Sequence, residues 1–186
     1  MKRSEQYGDQ MARLYPEVFK SDRFERPIVQ TVTFQVTDDC NLACKYCYQI
    51  NKGKRKMSLD VAKKFVDLLL STTPDNNIYI NPEKSPFLII EFIGGEPFLE
   101  VDLIDRTFQL THPWATRYFL SICSNGVLYF EPNVQRFLKK HRNHLSLSIT
   151  IDGNKKLHDS CRVFHDGRPS YDLAVAAAKD WMDNYG

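Results

Sequence analysis

A chain of 186 residues can enclose one sizeable core, so a single domain or part of one is expected. Its 25 Lys and Arg against 23 Asp and Glu leave a net charge of +2 without a long block of one sign, which gives no reason to expect nucleic acid or a membrane as partner. No run of eighteen apolar residues occurs and residues 1–13 are polar, so a cytoplasmic protein is expected, in whose reducing surroundings five cysteines point to metal binding or catalysis before disulfides.

Residues 1–27 mix charges with Tyr, Leu, Val and Phe and read as a helical or irregular lead-in without a motif. From Ile28 to Thr37 the run is β-branched and alternating, a strand, and a cysteine cluster follows as a loop. The basic run Lys52 to Lys56 is expected to be solvated. Ser58 caps a helix in which Val61, Ala62, Phe65, Val66, Leu68 and Leu69 recur at helical spacing. Asn76 to Pro86 reads as a loop, and Phe87 to Ile93 as a strand whose nearly continuous apolarity predicts cover on both faces. A helix around Leu103 to Leu110, a strand Tyr118 to Cys123, a helix Pro132 to His141, a strand Leu145 to Ile151 and a helix Tyr171 to Asn184 complete the pattern. Alternation of four strands with four helices predicts an α/β fold with a parallel sheet, open or part of a (β/α) barrel. Residues 28–186 would form this core. Four strands do not close an eight-stranded barrel, so the core is expected to be incomplete, without the later barrel strands or an auxiliary-cluster domain.

The chemistry-bearing segment is Cys40-Asn41-Leu42-Ala43-Cys44-Lys45-Tyr46-Cys47. Three thiolates on one short loop can hold three corners of a four-iron cluster and leave one iron open. The competing reading is structural zinc, which wants a fourth ligand; His141, His144 and Cys161 are candidates, none at a regular short spacing. Gly94-Gly95-Glu96-Pro97 ends the second strand, Ser124-Asn125-Gly126 follows the third, and Thr150-Ile151-Asp152-Gly153 lies at the end of the fourth. Ligands of parallel sheets gather beyond the carboxyl ends of strands, so motifs at four consecutive ends describe one site. Cys123 reads as a small buried hydrophobe within its strand, and His112, His141, His144 and His165 as surface residues.

CxxxCxxC after the first strand, with Tyr46 before the last Cys, resembles the signature of the radical SAM superfamily. Gly94-Gly95-Glu96 resembles its GGE motif. His158-Asp159 with Arg162 resembles the HDxxR of the branch that holds anaerobic sulfatase maturases and SPASM-type peptide maturases. Two positions depart from the branch: Thr150 stands where Ser is usual, and Ile93 where some maturases carry Gln.

The resemblance implies a radical SAM barrel and a [4Fe-4S] cluster on Cys40, Cys44 and Cys47. It also implies S-adenosylmethionine gripped by Gly94, Gly95, Glu96, Asn125, Thr150 and Arg162, with the backbone of Tyr46 at the adenine. The activity implied is reductive cleavage of S-adenosylmethionine to a 5′-deoxyadenosyl radical that takes hydrogen from a peptide or protein, with a reductant such as flavodoxin or ferredoxin. A small-molecule radical SAM enzyme, of the molybdenum-cofactor cyclase type, and a non-catalytic metal-binding or adaptor domain are the alternatives.

Overall fold

The computed structural model describes residues 30–49, 52–70, 88–111 and 118–185; the expected lead-in, the loop Asn76 to Pro86 and His112 lie outside them. The elements are β1 (Gln30–Thr37), α1 (Leu59–Leu70), β2 (Leu88–Gly94), α2 (Val101–Thr111), β3 (Tyr118–Ser124), α3 (Pro132–His141), β4 (Leu145–Ile149), α4 (Lys155–Cys161) and α5 (Tyr171–Asn184). The strands pair in the order β1-β2-β3-β4, every pair parallel, which is the expected α/β sheet.

Strand alternation decides which side is core. Phe34 and Val36 of β1, Leu88, Ile90 and Phe92 of β2, Leu120 and Ile122 of β3, and Leu145 and Leu147 of β4 share one face and are buried. Against them pack Val66 of α1, Val101, Ile104 and Phe108 of α2, Val134, Phe137 and Leu138 of α3, and Ala177 and Trp181 of α5. Each such Leu, Ile or Phe removed from water contributes roughly 1.5–3 kcal/mol, which makes this layer the main source of stability.

The other sheet face is largely polar: Thr33, Gln35, Ser121, Cys123, Ser146 and Ser148 point away from the core, and Thr33 donates to Glu91 at 2.8 Å. β2 is therefore buried on one face and half-buried on the other, not covered on both, because Ile89, Glu91 and Ile93 lie on this second face. The same alternation corrects the reading of Cys123, which is exposed on the polar face and not buried.

Helix boundaries largely match the sequence pattern. Ser58 Oγ accepts from Val61 N at 3.2 Å at the start of α1. Of its expected apolar positions, Ala62 and Val66 are buried in the core, while Val61, Phe65 and Leu68 lie on the exposed side. α3 and α5 occupy the expected spans; β4 ends two residues early, at Ile149. The chain pattern missed α4, which is only 7 residues long and too short for a periodic signal. His141 is a further correction. It is buried between Phe108 and Phe137, ring centroids 4.7 and 4.8 Å away, and its Nε2 meets Asp105 Oδ1 at 2.7 Å.

Candidate functional site

The site forms where the carboxyl ends of the four strands meet. β1 and β2 leave the sheet in contact: Gly95 N donates to Thr37 O and Glu96 N to Asp39 O, each at 2.9 Å. A Cβ on Gly95 would lie 2.2 Å from the carbonyl oxygen of Asp39, backbone against backbone, so only glycine fits. This contact fixes the start of the cysteine loop against the second strand end.

Glu96 then ties β2 to β3. Its fully buried carboxylate accepts from Phe98 N at 3.0 Å and Ser124 Oγ at 2.8 Å through Oε1, and from Asn125 N at 2.8 Å through Oε2. Burial raises its pKa, and these three donors oppose the rise. Its side chain thus works as a brace within the protein as well as a wall of the site, a role that the motif alone did not reveal. Asn125 extends the link to the cysteine loop, its Nδ2 donating to Asn41 Oδ1 at 2.7 Å and reaching Cys40 Sγ at 3.9 Å.

The fourth strand end carries the most connected part. Asn154 Oδ1 accepts from Leu157 N at 3.0 Å and caps α4. His158, buried, accepts from Asp152 N at Nδ1, which leaves its proton on Nε2 to be donated to Ser170 Oγ at 3.0 Å. Ser170 Oγ donates in turn to Arg162 O at 2.8 Å, and Asp159 Oδ1 accepts from the amides of Ser170 and Tyr171. The HDxxR residues thus shape the turn that presents Arg162. Burial, and then the Arg162 charge, lower the pKa of His158, consistent with a neutral ring. Arg162 Nη1 donates to the Tyr46 hydroxyl, which donates to Asp152 Oδ2, while Nη1 lies 3.8 Å from Asp152 Oδ1.

Between these ends lies a cavity of about 350 Å³ lined by Cys40, Cys44, Cys47, Gly94, Gly95, Glu96, Asn125, Thr150 and Arg162, together with Tyr46, Lys52 and Cys123. Such a volume suits a small-molecule ligand. Every site residue expected from the sequence is on its wall. Two residues that sequence reading set aside are there too. Cys123 Sγ lies 3.7 Å from Thr150 Oγ1, and the alternation Ser121-Ile122-Cys123 could have placed it on the open face. Lys52, expected in a solvated loop, turns inward to donate from Nζ to Leu42 O.

The donor set fits an iron–sulfur cluster. All five cysteines are free thiols, and the three of the loop share one cavity. Burial raises the pKa of Cys40 and Cys44; Lys52 opposes the rise at both, and Arg162 at Cys44. Nearby cations thus favour the thiolate form that ligation requires. Two cavity residues also hold buried polar atoms without a hydrogen-bond partner among the described residues, Gln49 Oε1 and Arg162 Nε, as expected of a wall shaped for a polar ligand.

The family described as the 4Fe-4S single cluster domain matches residues 29–174, and the chain belongs to it. Relatives narrow the class to radical SAM proteins on the sulfatase-maturase side. The serine-type anaerobic sulfatase-maturating enzyme of Bacteroides thetaiotaomicron is 28% identical over 142 residues, 71% of this chain and 31% of that protein. The AdoMet-dependent heme synthase of Nitratidesulfovibrio vulgaris is 31% identical over 140 residues, 73% of this chain and 33% of that protein. In fold, the chain is similar to native anSMEcpe with bound AdoMet and Kp18Cys peptide, with a TM-score of 0.67, 20% identity, and cover of 84% of this chain and 41% of that one. The chain therefore spans less than half the length of each. These relatives are enzymes, and the two expected cofactors recur in the family's cluster and in the AdoMet of its relatives. No helix among the described residues is long and apolar enough to cross a membrane.

Proposed function

We propose that the chain is the radical-generating part of a radical SAM enzyme that modifies a peptide or protein. The observation that carries this reading is the meeting of four strand ends on one cavity whose wall holds three free thiols, a glycine ridge and Arg162. Cys40, Cys44 and Cys47 would hold a [4Fe-4S] cluster, which when bound supplies the electron that cleaves S-adenosylmethionine to a 5′-deoxyadenosyl radical.

The protein's own part is binding and orientation. Gly94 and Gly95 lack side chains where the backbones of Thr37 and Asp39 press against them, which brings the second strand end onto the cavity wall beside the cysteine loop. Asn125, Thr150 and Arg162 present an amide, a hydroxyl and a guanidinium, and the last can pair with both oxygens of a carboxylate. Tyr46 bridges the cysteine loop and Asp152 over the same cavity. Glu96, held by three donors, keeps β2 and β3 in register with the cysteine loop.

Anaerobic reconstitution with iron and sulfide tests the reading. A cluster spectrum perturbed by S-adenosylmethionine, with 5′-deoxyadenosine formed on reduction by dithionite, supports it; a colourless protein holding one zinc ion overturns it. A small-molecule substrate is the second reading, favoured by the 31% identity to the heme synthase. Transfer of deuterium into 5′-deoxyadenosine from a labelled peptide pool, and not from a small-molecule pool, separates the two. A reductant of the flavodoxin or ferredoxin class and a cytoplasmic setting belong to the same proposal.

A further inference from the structure

Lys52 belongs to a run of four cations, and its neighbours are accounted for at the surface. Arg55 pairs with Asp38 at 2.7 Å and Lys56 with Glu100 at 2.6 Å, while Lys54 is exposed. Lys52 alone turns inward. Its Nζ donates to the carbonyl of Leu42, inside the Cys40–Cys47 loop, and among the described residues no carboxylate pairs with it. Its side chain also lines a second cavity, of about 390 Å³, with Cys44, Cys47 and His165, so the lysine reaches both openings beside the loop.

A half-buried ammonium kept beside the thiols without an acidic partner has a cost in desolvation, which a neighbouring negative group would offset. Three thiolates and a cluster are such a group. Adding one electron makes them more negative still, and a fixed cation then favours the reduced state, since net charge and nearby polar groups set cluster potentials.

We propose that Lys52 is a positioning residue whose fixed charge, pinned to the Leu42 carbonyl beside the three cysteines, raises the reduction potential of the cluster they hold. This rests on the cluster reading above.

The test uses the full chain, reconstituted anaerobically and titrated with dithionite and redox mediators, with the reduced cluster followed by electron paramagnetic resonance. Lys52→Met removes charge and donor; Lys52→Gln keeps a donor without charge; Lys52→Arg keeps the charge; Lys54→Met is the surface control. Compared at equal cluster content, the neutral variants should show a reduction constant about tenfold smaller, a midpoint lower by about 59 mV for one electron. Lys52→Arg and Lys54→Met should match the parent. Loaded neutral variants with an unchanged midpoint overturn the proposal, and so does a Lys52→Arg variant shifted as far as Lys52→Met. Should Lys52→Met take up no iron, Lys52→Gln decides on the same criterion. A parent chain that loads no cluster overturns the functional reading instead, and the proposal falls with it.

Discussion

The two walls of the cavity are built differently. On the β4 side, order is internal: Asn154 caps α4, His158 links Asp152 to Ser170, and Asp159 receives two amides at the start of α5. On the β1 side, the cysteine loop has few bonds of its own, such as Cys47 N to Cys44 O at 3.2 Å. It takes order from the other wall. Ala43 N donates to Val163 O at 2.7 Å, Lys45 N to Cys161 O at 2.9 Å, and His165 Nε2 meets Cys40 O at 2.9 Å. The cysteine loop has no helix or strand ladder to satisfy its amides, and a segment about 120 residues away supplies the partners. Damage should therefore spread from the β4 wall to the cysteine loop more readily than back.

The largest expected effect isolates the weaker wall. Cys44→Ala should abolish nearly all cluster loading, measured as bound iron, while leaving the urea midpoint of the unloaded chain almost unchanged. A comparable loss of stability would break the asymmetry. Gly95→Ala attacks the seam between the strand exits and should cost about 3 kcal/mol in urea unfolding, as backbone must move to admit the methyl group. Glu96→Gln should cost about 2 kcal/mol, because an amide turns one of its acceptors into a donor facing donors.

Ser170→Ala removes the link between His158 and the Arg162 carbonyl and should cost about 1 kcal/mol. It should also weaken S-adenosylmethionine binding several-fold by equilibrium dialysis and slow iron uptake, although Ser170 is not on the cavity wall. Unchanged uptake would mean that the loop does not depend on this wall.

The smallest effect is on pH dependence. Burial lowers the pKa of both His158 and His141 from the ordinary 6.5. The unfolded chain then binds protons that the folded one refuses, so stability is full above about pH 6.5 and falls as the solution is acidified below it. Asp105, held below its usual range against the opposing effect of burial by Lys140 and His141, adds loss at lower pH. Urea midpoints between pH 7.5 and 5 should fall, and less steeply in His158→Gln.

Much of the site was legible because its signals are local. CxxxCxxC, GGEP and the Asp-Gly turn each announce themselves within eight residues, and strand–helix alternation was enough to gather them at one end of a sheet. The errors share a cause: they concern residues whose environment comes from distant chain. His141 is buried because Phe108 and Asp105 of α2 close over it, and no spacing within α3 says so. Lys52 lies in a run that composition assigns to solvent, yet the Leu42 carbonyl draws it in. Cys123 is the exception, since the alternation Leu120, Ile122 in and Ser121, Cys123 out was present in the sequence.

The pinch at Gly95 also makes a statement about variation. Position 95 has an alphabet of one letter, set by two backbones and independent of cofactor or substrate. A saturation library selected only for folding should return glycine at 95, a broad range of residues at exposed Cys123, and cysteine at 40, 44 and 47 only once selection for the cluster is imposed. Two kinds of invariance that look alike in a motif would thereby separate, one belonging to the fold and the other to the chemistry.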